Sequence, residues 1–130
     1  MFDAAVLAVS PQVAMPKQVP SYPHGKTVVI AVGKAAAEMM RVAQQRAARP
    51  LQGLVVTRHG HLPTDGVRWN DVEVIEAGHP YPDENSVTAA GRALEIANSL
   101  EAGDHMLVLL SGGGSALLAA PVDGVSLADK

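Results

Sequence analysis

Four short clusters of polar and glycine residues each stand directly behind an apolar run. They are Gly33-Lys34, Arg58-His59-Gly60-His61, Gly78-His79-Pro80 and Ser111-Gly112-Gly113-Gly114-Ser115. Lysine and arginine bring positive charge and N–H donors, and glycines let backbone amides approach an anion closely. Such groups suit the binding of an anion. The serine-flanked triple glycine is the sharpest of the four. It predicts an anion-binding turn into a following helix, with the hydroxyls of Ser111 and Ser115 as added donors; a plain tight turn is the bland alternative. A Gly-Ser linker is excluded, because linkers do not interrupt a core between Leu107–Leu110 and Ala116–Leu118.

Three familiar motifs are excluded by one or two residues each. Leu117 stands where a dinucleotide fingerprint starting at Gly112 needs its third glycine, and where a nucleophile elbow at Ser115 needs its second. Gly33-Lys34 is not a phosphate P-loop, since Val28 replaces the upstream glycine and Ala35 the magnesium-holding hydroxyl. Lys34 nevertheless opens a helical pattern, where a cation opposes the helix dipole. It either points to solvent or faces an anionic ligand. Arg58 is a candidate anion clamp through its planar fork of donors. His79 is a functional contact or a structural hydrogen-bonder, with neither reading favoured. His59 and His61 read as solvated or hydrogen-bonded loop residues, not as a metal pair, so no metal ligand is assigned. His24 and His105 read as surface residues, and Glu101 and Asp104 as solvated or capping groups.

The elements that must carry these clusters follow from hydrophobic period. Phe2–Val9 predicts a short helix with Phe2, Ala5, Val6 and Val9 on one face, and Pro11, Pro16, Pro20 and Pro23 make residues 10–25 an extended connector. Strands are predicted at Thr27–Val32, Leu54–Thr57, Val72–Glu76 (at or near a sheet edge) and Met106–Leu110. Helices are predicted at Ala35–Ala48, from an Asp83 N-cap to about Leu100, and at Ser115–Ala119. Strand–helix alternation with apolar strands implies an α/β, Rossmann-like three-layer α/β/α fold, with a mainly parallel sheet of about four strands. The organisation is then a helix and proline-rich connector over 1–25 and an α/β domain over 26–130. All four clusters fall at carboxyl ends of strands, where open parallel sheets bind ligands. Ser126 and Asp129 have the spacing of a capping box at the very end of the chain, so a longer protein is expected.

Composition narrows the functional classes. The 130 residues are 48% hydrophobic and 18% charged, which is globular and not disordered. Ten Lys and Arg against thirteen Asp and Glu give a net charge of −3 without any basic patch, and one Trp, one Phe and two Tyr leave no stacking platform, so nucleic acid is not expected. The longest apolar run is too short for a bilayer and no signal peptide is recognisable. The absence of cysteine removes disulfides and thiol chemistry and fits a cytoplasmic setting.

The motifs Ala31–Ala36, Val56–His61, Glu76–Glu84 and Leu110–Leu118, in that order, resemble the N-terminal part of class II glycerate kinases. This glycerate 2-kinase family carries a MOFRL-type C-terminal domain and is often labelled hydroxypyruvate reductase. The resemblance runs from about Phe2 to Lys130, and family members are roughly three times as long. It implies phosphorylation of D-glycerate to 2-phosphoglycerate with ATP and Mg2+ in a cleft between two α/β domains. Lys34 matches the family's active-site lysine, and Ser111–Ser115 a glycine-rich loop facing the same cleft. His59 departs from an expected aromatic such as Tyr, and Gly78 and His79 match without an assigned role. The expected partners are D-glycerate, a nucleotide and a C-terminal domain missing from this chain, with homo-oligomerisation left open and the isolated piece inactive. Two rival readings are an NAD(P)H-dependent hydroxypyruvate reductase, against which no complete dinucleotide fingerprint appears, and a non-enzymatic anion-binding module.

Overall fold

The computed structural model describes residues 2–17, 19–20, 22, 24–64 and 69–129. Connector residue Pro23 and the terminal Lys130 lie outside that set. In chain order the elements are α1 (Phe2–Ala8), α2 (Pro11–Ala14), β1 (Thr27–Val32), α3 (Ala36–Arg46), β2 (Gln52–Arg58) and β3 (Val72–Ala77). They continue with α4 (Glu84–Asn98), β4 (His105–Leu110), α5 (Gly114–Leu117) and a 3-10 turn at Leu127–Asp129.

The four strands form one parallel sheet in the order β3-β2-β1-β4. Val28–Val32 and Gly53–Thr57 are buried along their length, as unbroken β-branched and apolar strands require. Alternation along β1 and β2 divides the core between two faces. Val29, Ala31 and Val55 pack under α3 against Ala36, Met40 and Ala43, while Ile30, Val32, Leu54 and Val56 pack under α4 and α5 against Ala89, Ala93 and Leu117. Alanine on the facing helices lets them approach the sheet closely, and Met40 fills the larger gap. The α/β three-layer architecture expected from the sequence is the one observed, with β3 at an edge.

Three details differ from the sequence reading. Residues 11–14 of the connector coil into α2, begun by Pro11 at a position where proline's missing N–H costs nothing. Gln12 on that turn hydrogen-bonds Glu38 of α3. The α1 residues are exposed, so the predicted apolar face of Phe2 and Val6 has no core to meet. Most consequential is β4. Its apolar run predicts burial on both faces, yet Met106, Val108 and Leu110 are 44%, 52% and 70% exposed. Among the described residues α4 lies over β3 and β2 and α5 is a single turn, so neither helix covers that half of the outer strand.

Candidate active site at the carboxyl rim of the sheet

The topology concentrates the clusters. From β1 the chain runs through α3 to β2 on one side, whereas β4 pairs with β1 on the other. The turns after β1 and β4 therefore diverge at the point where the strand order reverses, the crevice in which open α/β sheets take ligands. Gly33-Lys34 and Ser111–Ser115 are those two turns.

They are stitched together through the backbone. The Lys34 N–H donates to the Gly112 carbonyl at 3.0 Å, and the Ser111 N–H donates to the Val32 carbonyl at 2.9 Å. The Ser111 hydroxyl accepts from the Ala35 N–H at 3.1 Å and lies 3.4 Å from the Val32 carbonyl as a donor. Ala35 is an N-cap residue of α3 without a capping side chain, so Ser111 supplies from another loop what the helix start lacks. The junction depends on Gly33: at φ +120°, a Cβ there would fall 2.2 Å from the Ser111 Oγ.

Gly113 is the second position that admits only glycine. Its φ is +96°, and a Cβ would sit 2.9 Å from His79 Nε2 and 3.6 Å from Lys34 Cε. Lys34, His79 and Gly113, drawn from three different strand ends, thus meet at one point. Beside it a cleft of about 330 Å³ opens, lined by His79, Gly113 and Ser115. Lys34 is exposed. Among the described residues the N–H groups of Gly112, Gly113 and Gly114 have no acceptor. The helix that follows, α5, is a single turn that ends two residues before the predicted Ala119, so the donors here are the loop's own amides and not a summed helix dipole.

The remaining rim residues are organised around α4. Asp83 is its N-cap, with Ser86 completing a capping box. The same carboxylate takes a 2.9 Å hydrogen bond with His59 Nε2 and a bond from the Gly78 N–H. Burial pushes the Asp83 carboxyl up, but the bonds from His59, Gly78 and Ser86 outweigh it and hold it at about 2. Glu76 accepts from the Gly60 N–H at 2.7 Å, fixing the same loop from β3. His59 therefore acts as a tie between the β2 loop and α4. Nothing in the spacing of residues 59 and 83 could have shown that.

Arg58 ends β2, exposed, and its guanidinium is not drawn to Lys34 or His79 by any hydrogen bond or ion pair among the described residues. His105 is no plain surface residue: its ring stacks on Tyr22 with centroids 4.1 Å apart. Asp104 is a capping group, as expected, accepting from the Lys26 and Glu101 N–H groups. Among the described residues no three histidines, aspartates or glutamates converge as a metal cage, and no helix is long and apolar enough to cross a membrane.

Comparison with known proteins places the chain among relatives of known sequence and fold. A relative from Agrobacterium vitis, provisionally named a hydroxypyruvate reductase, is 41% identical over 133 residues, covering 100% of this chain and 29% of its own length. A D-glycerate 2-kinase from Thermotoga maritima is 40% identical over 126 residues, covering 95% of this chain and 29% of the relative. The crystal structure of a glycerate kinase from Thermotoga maritima superposes with a TM-score of 0.82 at 37% identity, over 97% of this chain and 30% of that one. This chain thus spans less than a third of the length of these relatives. The family model described as "Domain of unknown function (DUF4147)" matches residues 1–130, and the chain belongs to that family, whose resemblance to glycerate 2-kinases its own motifs had already indicated.

Proposed function

We propose that this chain forms one wall of the active site of a glycerate 2-kinase, in which ATP phosphorylates D-glycerate to 2-phosphoglycerate. The observation that carries the reading is the convergence of Lys34, His79 and the Gly112–Gly114 loop at the β1/β4 switch point. Phosphoryl transfer asks the protein for positioned charge and N–H donors around oxygens on which negative charge spreads, with little covalent chemistry of its own. Lys34 supplies the point charge and the loop supplies amides. The Ser111 hydroxyl is engaged with Ala35, so its part is to hold the two turns in register. Ser115 at the cleft and Arg58 farther along the rim complete the set of anion contacts.

In this reading the 2-hydroxyl of glycerate attacks the terminal phosphorus, ADP leaves, and the hydroxyl proton passes to a group supplied by the opposite wall. That wall is the C-terminal domain, the principal partner of this chain. Magnesium, when bound with the nucleotide, would supply positive charge to the phosphoryl oxygens and would need only one or two protein carboxylates, which the opposite wall would hold. The isolated chain is inactive, and the intact enzyme works in the cytoplasm.

A reductase reading is favoured by the provisional names of two relatives from Agrobacterium vitis. Against it, Leu117 occupies the third-glycine position of the dinucleotide fingerprint. Two parallel assays on the protein at its full encoded length separate the two: ADP release with D-glycerate and magnesium-ATP, and NAD(P)H oxidation with hydroxypyruvate. ADP release alone is expected. NAD(P)H oxidation alone overturns the kinase reading.

A further inference from the structure

A second cavity lies at the opposite end of the sheet. It holds about 320 Å³ beneath the amino ends of β1 and β4 and the carboxyl end of α3. Its wall is apolar and continuous with the core: Val29, Ala43, Ala47 and Leu107. Its mouth is polar. Lys26 and Arg49 line it with one carboxylate, that of Asp71. Arg49 forms no ion pair or hydrogen bond among the described residues, and Lys26 shares its charge with nearby Asp104.

We propose that this cavity is a binding site, separate from the carboxyl-rim site, for a small amphipathic anion: an unbranched apolar body ending in a carboxylate. A volume of 320 Å³ at roughly 30 Å³ per water-sized group accommodates about ten non-hydrogen atoms, the size of octanoate. Pockets that hold small molecules begin at about this size, with an apolar lining and a few convergent polar groups. The apolar body displaces water from the half-buried Ala47 and Leu107, which favours entry, and the carboxylate meets the Arg49 fork and Lys26 ammonium at the mouth. The six residues of β1 separate this site from Lys34 by about 20 Å at 3.3 Å per residue, so occupancy here is readable without any assay of turnover.

The test is calorimetric titration of the full-length protein with octanoate, octanol and octylamine in parallel, with thermal unfolding followed for each. Octanoate is expected to saturate one site, to raise the unfolding temperature, and to bind at least about tenfold more tightly than octylamine. Lys26→Gln with Arg49→Gln is expected to erase the preference for octanoate over octanol. Ala47→Phe, which fills the cavity, is expected to abolish binding of all three while unfolding stays cooperative. Should Ala47→Phe not fold, Ala47→Leu and the exposed double variant decide the matter. Absence of saturable octanoate binding, equal binding of octylamine, or unchanged binding in the filled variant each overturns the proposal.

Discussion

At the scale of single residues, the crevice rests on contacts a few tenths of an ångström from failure. Ala at position 113 places a methyl group 2.8 Å from the His79 ring and forces a non-glycine residue to φ +96°. Gly113→Ala is therefore expected to cost about 1–2 kcal/mol in urea unfolding and to displace His79 and Lys34 from their meeting point. Full-length activity should fall much further than that loss of stability explains. Ser111→Ala removes the acceptor of the Ala35 N–H and should cost about 1 kcal/mol. If Ser111 positions the Lys34 turn, its loss lowers turnover without abolishing it, and Ser111→Thr restores part. The placement of the candidate residues on the carboxyl rim was legible in the sequence because each follows an apolar strand. Their pairings were not: His59 with Asp83 and His105 with Tyr22 join residues far apart in sequence that only the tertiary fold brings together.

At the scale of elements, Asp83 sets the start of α4 and ties the β2 loop to it. Its carboxyl is held at about 2 in the folded chain against an ordinary 3.8, so the ionised form is the one the fold favours. The stability this contributes is complete above about pH 4 and is lost as pH falls through 2. Asp83→Asn keeps an N-cap but loses the titration. Urea midpoints should therefore fall more steeply from pH 5 to pH 2 in the parent than in the variant; parallel profiles would show that the carboxylate contributes nothing. The period of the sequence located the four strands and the two long helices of the described residues, since each carries an apolar run or repeat long enough to read. It missed α2, whose single turn is too short to display a period, and it overextended α5, which ends where Leu118 leaves helical geometry.

At the scale of the whole molecule, β4 is the informative element. An edge strand normally carries charge or proline against unwanted pairing, yet His105–Leu110 presents Met106, Val108 and Leu110 with no such guard. The isolated 130-residue chain is expected to self-associate through this surface. Val108→Lys should shift it towards monomer in analytical ultracentrifugation, with the fold retained because Val108 is half exposed. An unchanged distribution would place the association elsewhere.

The central claim is that negative charge in the reaction is met at the β1/β4 crevice by Lys34. Its most direct test is the turnover of Lys34→Met in the full-length protein at saturating ATP and D-glycerate, with circular dichroism confirming the fold. The account predicts a fall of at least about a hundredfold, near 3 kcal/mol of lost transition-state stabilisation. Turnover equal to the parent's would contradict it, and the crevice would then be a turn that holds the sheet together and nothing more.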